Sequence, residues 1–315
     1  MMHQKKTRSD ARRLSIVATR SVRYPGMSPS RAAGGRWRFG MMATAVLLVA
    51  SVAHGQGMGL ARQEVIDFSD RVVTFETSDG ITIEADYYPV KVEPNKKTPV
   101  AILIHMYPAD RSSWKSLVPA LRKTGVAALA YDIRGKGGSN KPVDKKLKDG
   151  YDNRDPAHFK DAWKDVEAAR TWLGKQENID VGRTILIGAS IGCSIALEQA
   201  SLDSTIKGVV CLSPGENYMG VDSIAHIKKC STVPILLLSP EGEFEALRNL
   251  VKASGGRAKA RKYPGGREHH GTGMLEAEYG KKVRGRILRF VRKHLDIESK
   301  KKADKTKKQK APKAS

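Results

Sequence analysis

Residues 184–200 read TILIGASIGCSIALEQA. The opening TILIGA, 184–189, is an unbroken apolar run of the length expected for a strand buried on both faces. Residues 191–200 suit a helix. Between them stands Gly188-Ala189-Ser190-Ile191-Gly192, a G-x-S-x-G string. Short Gly/Ser strings arise by chance, so the context decides. A buried strand before it and a helix after it are what such a motif needs to lift a Ser hydroxyl clear of a sheet. The flanking glycines fit the same reading, because backbone segments crowd at so sharp a turn. The helix start would also turn N–H groups and the positive end of its dipole toward a developing oxyanion. The alternative is a helix-capping Ser with packing glycines.

The pattern extends outward on both sides. VVTFET (72–77) and ITIEADYY (81–88) flank Ser78-Asp79-Gly80 as two strands around a turn. After a polar linker at 91–98, VAILIH (100–105) and VAALAYD (126–132) read as buried strands. An amphipathic helix over 113–123 stops at Gly125. Residues 135–156 read as loop, and 159–173 carry apolar residues at helical spacing. Downstream, GVVCLS (208–213), ILLLS (235–239) and AKARKY (258–263) are strand candidates, with helices over 245–253 and 281–295. Strands alternating with helices imply an α/β fold, a mostly parallel sheet covered on both faces.

A Ser hydroxyl needs a base, and the base an orienting acid. In this motif class they follow in the order Ser, acid, His. Of His226, His269, His270 and His294, the choice falls on His270, in the Gly-rich stretch after 258–263, with His269 its nearest rival. His226 and His294 read as surface residues. The acid belongs at the end of the strand 235–239, where Glu243 is the choice and Glu241 the alternative. The backbone N–H groups of Met106 and Ile191 are the expected oxyanion donors.

The formal net charge is +23. Residues 1–40 hold ten Lys/Arg against Asp10, and residues 298–315 hold eight Lys against Glu298 and Asp304, leaving +8 on 41–297. The total alone suggests a polyanion binder; its distribution points to a basic leader (1–40), a mildly basic body (60–297) and a Lys-rich tail (298–315). Residues 41–55 combine a short uncharged run, MMATAVLLVASVA, with a basic flank before it and Ala53 and Gly55 behind it. That is the pattern of a cleaved signal peptide and implies export, periplasmic or secreted; an uncleaved membrane anchor is the alternative. Met27 is a candidate true start. Cys193 and Cys211 read as core and Cys230 as the most exposed thiol, and a Cys211–Cys230 bridge stays open. No metal-ligand spacing or nucleotide loop appears, so neither metal nor cofactor is expected.

ILIHMYPADRSSW (102–114), AYDIRGKGGS (130–139), ILIGASIGCSIAL (185–197), LLLSPEGEFEA (236–246) and YPGGREHHGTGML (263–275) together resemble the α/β-hydrolase family, in particular its small lidless dienelactone-hydrolase and esterase members. The resemblance runs from about residue 72 to 295. It implies Ser190 as nucleophile, His270 as base and Glu243 as acid, where relatives usually carry Asp. It places the oxyanion turn at His105-Met106, where many relatives carry His-Gly. Asp132 to Gly137 resembles the family's D-x-R-G-x-G turn, a structural element. Only 21 residues separate the strands 208–213 and 235–239, too few for a cap domain. Residues 213–218 are candidates to line the substrate pocket.

The expected activity is a serine hydrolase acting on a carboxylic ester or related acyl bond through an acyl-enzyme. Peptidase or acyltransferase chemistry on the same fold is the alternative. A second class is a non-catalytic module binding anionic partners through the basic tail. The expected partner is a small or polymer-borne acyl compound, with no specific nucleic acid; the tail is suited to anionic surfaces.

Overall fold

A computed structural model describes residues 69–93 and 95–297. The leader, the 41–55 signal segment, the start at Met27 and the 298–315 tail lie outside the described residues. Among the described residues ten strands occur in chain order: β1 (Arg71–Glu76), β2 (Thr82–Tyr88), β3 (Thr98–Ile104), β4 (Ala127–Tyr131), β5 (Ile179–Ala189), β6 (Gly208–Leu212), β7 (Asn217–Tyr218), β8 (Val221–Asp222), β9 (Ile235–Pro240) and β10 (Lys259–Tyr263). The helices are α1 (Val118–Lys123), α2 (Lys145–Asp152), α3 (Pro156–Phe159), α4 (Trp163–Gly174), α5 (Ile191–Leu202), α6 (Ser223–Lys229), α7 (Phe244–Ala253), α8 (Gly273–Glu276) and α9 (Gly280–His294).

Eight strands form one sheet in the order β1-β2-β4-β3-β5-β6-β9-β10. β1 and β2 are antiparallel, and every pairing from β4 to β10 is parallel. Alternation along each strand divides the core. Val100, Ile102 and Ile104 of β3 face the layer of α4, α5, α6 and α7, while Ala101 and Leu103 face α1, α8 and α9. α5 is apolar nearly all round, and Ile191 to Leu197 are all buried, because other helices cover its back. α9 instead buries one stripe, Val283, Ile287 and Val291 at i, i+4 and i+8, and leaves its Lys and Arg outward. Among the described residues no large cap covers the sheet ends, as the short 213–235 connection implied.

Several sequence expectations are corrected. The 113–123 helix is a 3₁₀ turn, Arg111–Trp114, followed by α1. Residues 135–156 are not mere loop: α2 forms there, with Asp144 accepting from the Leu147 N–H at its start. The 159–173 pattern splits into α3 and α4. Cys230 is buried, with its thiol turned to the Leu197 carbonyl, and all three cysteines are free thiols. His226 and His294 are partly buried; His294 packs on Phe290 with ring centroids 4.4 Å apart.

His226 approaches Glu198 of α5 at 3.6 Å and also contacts the Ser201 hydroxyl. Burial, aided by Asp161, pushes the Glu198 carboxyl up to about 7. Burial also pushes His226 down, disfavouring the imidazolium beside Glu198. A carboxyl with a raised pKa binds more protons folded than unfolded. Stability therefore falls as pH rises from the ordinary glutamate range through about 7. Glu198→Gln is expected to gain roughly 1–3 kcal/mol at pH near 8. At pH near 5 it should gain almost nothing; thermal melts at the two pH values check this.

Candidate active site

β5 ends at Ala189 in the middle of the sheet, and Ser190 stands on the turn into α5 with φ 52° and ψ −119°. A non-glycine residue in this region is strained, and such strain persists only where the surroundings enforce it. Two features do so here. The Ser190 N–H is tied to the Leu212 carbonyl of β6 at 2.9 Å. The glycines permit the contact: a Cβ on Gly188 would lie 2.1 Å from the Gly192 carbonyl oxygen, and one on Gly192 would lie 2.2 Å from that of Ile104.

The closeness of Gly192 to the Ile104 and His105 carbonyls brings the start of α5 against the turn that follows β3. Ile191 opens α5, so its N–H has no intrahelical acceptor. His105 is fully buried and fixes the opposing turn. The Ile133 N–H donates to its Nε2 at 3.0 Å, which leaves the proton on Nδ1 to donate to the Met106 carbonyl at 2.8 Å. Burial pushes its pKa down, consistent with this neutral tautomer.

β9 and β10 run parallel beside β6 and deliver the other two groups. After β9 comes a 3₁₀ turn, Glu241–Glu243, and after β10 another, Arg267–His269. His270 Nδ1 lies 2.7 Å from Glu243 Oε1. The alternatives separate from this pair. Glu241 points outward to Lys262, and His269 turns its ring edge to Tyr279, 5.3 Å between centroids. The residue after His270 is also placed: a Cβ on Gly271 would lie 3.5 Å from the Ala189 side chain and would strike Met106. The His270 segment therefore closes over the end of β5 and the Met106 turn together.

Burial pushes the Glu243 carboxyl up, but the hydrogen bond and charge of His270, with Ser213 and Arg267, outweigh it and hold the group below the ordinary glutamate range. With a lowered pKa, the stabilisation from this contact is present above that range and is lost only as pH falls below it. Glu243→Gln keeps the shape of the contact but offers the imidazole the wrong hydrogen-bond partner for its working tautomer. It is expected to lower kcat by about 10³–10⁴ with little change in KM, by analogy with the Asp-to-Asn change in a Ser-His-Asp triad. Glu241→Gln, on the exposed Lys262 pair, should stay within about twofold. Steady-state kinetics on one ester compares the two.

Two further residues belong to the cluster, and the sequence reached them only as members of 213–218. Ser213, with φ 53°, accepts the Gly271 N–H on its hydroxyl at 2.9 Å and so holds the peptide after His270. Tyr218 of β7 stands edge-on to His270, with centroids 6.3 Å apart, and its hydroxyl donates to the Ser213 carbonyl at 3.4 Å. Burial pushes its phenol up to about 12, so it stays neutral in ordinary buffers. His105 was legible only as the residue before the Met106 turn; its role appears with Ile133 folded against it.

Below the sheet end, the D-x-R-G-x-G segment is structural. Asp132 accepts from the N–H groups of Arg111 and Gly138, and Arg134 is clamped between Asp165 and Asp79. Among the described residues no cluster of His, Cys, Asp and Glu is arranged to hold a metal ion.

Residues 64–221 match the family model described as acetyl xylan esterase. The chain belongs to the acetyl xylan esterase family. The matched span holds the Met106 turn, Ser190 and Tyr218, and stops before Glu243 and His270. An uncharacterized protein of Mycobacterium tuberculosis is 28% identical over 128 residues, 40% of either chain. A polyketide transferase of Gibberella fujikuroi is 30% identical over 146 residues, 45% of this chain and 40% of that protein. The chain thus spans about 40% of the length of these curated relatives. An esterase structure from Pyrococcus furiosus superposes with a TM-score of 0.57 at 16% identity, covering 72% of this chain and 92% of that one. At that identity the likeness concerns the fold: this acetyl xylan esterase family member has the α/β-hydrolase fold.

Proposed function

We propose that this chain is a serine esterase that removes short acyl groups, with Ser190 as nucleophile, His270 as base and Glu243 as its orienting acid. The observation that carries the proposal is the 2.7 Å contact of His270 Nδ1 with Glu243, which turns the other ring nitrogen, Nε2, away from the acid and free for a Ser proton. Ser190 Oγ bonds to the ester carbonyl carbon as its proton passes to His270. The N–H groups of Met106 and Ile191 hold the resulting oxyanion. The tetrahedral species collapses, the ester C–O bond breaks, and the alcohol leaves with the proton from His270. Water, deprotonated by His270, then attacks the acyl-enzyme and releases the acid and Ser190.

Tyr218, edge-on to His270, is the residue we propose restricts the acyl group and favours acetyl over long chains. The uncapped sheet end suits an acyl group borne on a bulky alcohol such as a sugar polymer, in keeping with the family's description. The test is a panel of chromogenic esters from acetyl to decanoyl, acetylated oligosaccharides and chromogenic peptides, with a serine-directed phosphonate probe alongside. Acetyl turnover with labelling of Ser190 is expected; turnover confined to peptides, or labelling elsewhere, would overturn the reading. The transferase named among the relatives supports a second reading, in which an acceptor alcohol replaces water. Acyl-transfer product that outcompetes acid release at millimolar acceptor would favour it.

A further inference from the structure

At the N-terminal ends of β9 and β10, against the last two turns of α9, lies a cavity of about 340 Å³. Its floor is apolar, built from Ile235, Leu236 and Phe290. Its rim is six cations: Arg257, Lys259, Arg261, Arg286, Arg289 and Lys293. No carboxylate lines it, and among the described residues none of the six is ion-paired; Arg257 and Arg261 donate only to backbone carbonyls. The Nε of Arg286 is buried without a hydrogen-bond partner. An orphaned buried donor is costly, and a bound acceptor would relieve that cost.

This edge also explains where the charge of the body resides. Residues 257–294 carry twelve Lys and Arg against three Glu, whereas the whole of 41–297 nets +8. Outside 257–294 the body is therefore close to neutral, and half of the twelve cations of this span line the cavity, while Lys262 and Arg267 lie at the other end of β10. The chain then passes from Ile297, three residues beyond His294 in the cavity wall, into the eight Lys of 298–315. Both ends of the chain are basic, so neither is a charge complement for the cavity. The complement is an anion, and the apolar floor asks for carbon attached to it.

We propose that this flank docks on membranes containing anionic phospholipid, with a headgroup phosphate among Arg286, Arg289 and Lys293 and its hydrocarbon side on Ile235, Leu236 and Phe290. Arg guanidinium forks suit phosphate oxygens, and the surrounding cations add long-range attraction. The direction of the strands gives the docked orientation. The cavity sits at the starts of β9 and β10, while Glu243 and His270 follow their ends and Ser190 follows the end of β5. A protein held by this flank carries its Ser190 face away from the membrane.

The experiment is flotation of the full chain with vesicles of phosphatidylcholine, alone or mixed with phosphatidylglycerol. Binding is expected only with phosphatidylglycerol and should weaken with salt. The double variant Arg289→Gln, Lys293→Gln, both exposed, should lower partitioning about 30-fold, at ~1 kcal/mol per cation near an anionic surface. Removing 298–315 should weaken binding further without substituting for the double variant. Turnover of a neutral acetate ester serves as the folding control and is expected to be unchanged, so docking and chemistry fail or survive separately. The proposal falls if the double variant binds like wild type, if removal of 298–315 alone brings binding down to the phosphatidylcholine level, or if soluble glycerol phosphate at equal phosphate concentration displaces the vesicles. It also falls if duplex DNA is bound more tightly than the vesicles.

Discussion

Ser190→Ala should reduce kcat/KM on an acetyl ester by about 10⁴–10⁶, leaving a residual rate above the uncatalysed one. The size follows from the division of labour at the site. On the proposed mechanism, without Oγ no acyl-enzyme forms, and His270 has no nucleophile to deprotonate. The N–H groups of Met106 and Ile191 remain, and an oxyanion hole with substrate binding still accelerates attack by water. The substitution removes one hydroxyl and leaves the neighbouring Tyr218–Ser213 carbonyl bond, 3.4 Å, in place. Alanine also takes over an already strained φ of 52° rather than creating strain. Melting should therefore shift by no more than a few degrees. Initial rates with a chromogenic acetate, paired with phosphonate labelling, read both effects. Retained turnover in a folded Ser190→Ala protein would remove Ser190 from the mechanism.

Gly188→Ala is expected to be the most damaging single methyl group in the described chain. The added carbon would meet the Gly192 carbonyl oxygen at 2.1 Å, its carbon at 2.4 Å and the Cys193 nitrogen at 2.6 Å. All three are backbone atoms, so no side chain can swing aside. Either β5 or α5 must move, and β5 is flanked by β3 and β6 while α5 is buried from Ile191 to Leu197. A loss of more than about 4 kcal/mol is expected, in the range that only such mechanisms reach. At ~2–4 °C per kcal/mol for a domain of this size, melting should drop by about 10 °C or more. The contrast is Gly285→Ala in α9, where nothing lies within 4 Å of the new carbon. There the better helix former should gain about 0.5–1 kcal/mol. Thermal or urea unfolding of the two variants measures the difference directly.

Much of the fold was readable because its strands are local apolar runs bounded by glycine and polar residues. β3, β5, β6 and β9 are of this kind, and G-x-S-x-G announces the turn after β5 by itself. What escaped was decided by distant partners. α2 reads KKLKDGYD and buries only Tyr151, so it shows no apolar stripe to recognise. Cys230 follows two lysines and looks exposed, yet the end of α6 turns it under α5. Glu241 and Glu243 are two residues apart at one strand end, and sequence order alone cannot choose between them. A 3₁₀ turn has about three residues per turn, so such neighbours diverge by roughly 120°. One reaches Lys262 in solvent and the other reaches His270. Ser213 was visible as a neighbour of the site, but its bond to the Gly271 N–H spans 58 residues and has no local signature.

The neutral His105 has a consequence for how acid acts on this molecule. Its Nε2 must stay unprotonated to receive the Ile133 N–H, and burial makes a charge there unfavourable. In moderately acidic solution, then, the Met106 turn keeps its shape. The acid side of a pH–rate curve should follow one ionisation with unit slope, because the scaffold around the oxyanion contributes no second proton. Replacing His105 with Gln, which can still pair with both peptides, should leave that slope intact and alter only the height of the curve.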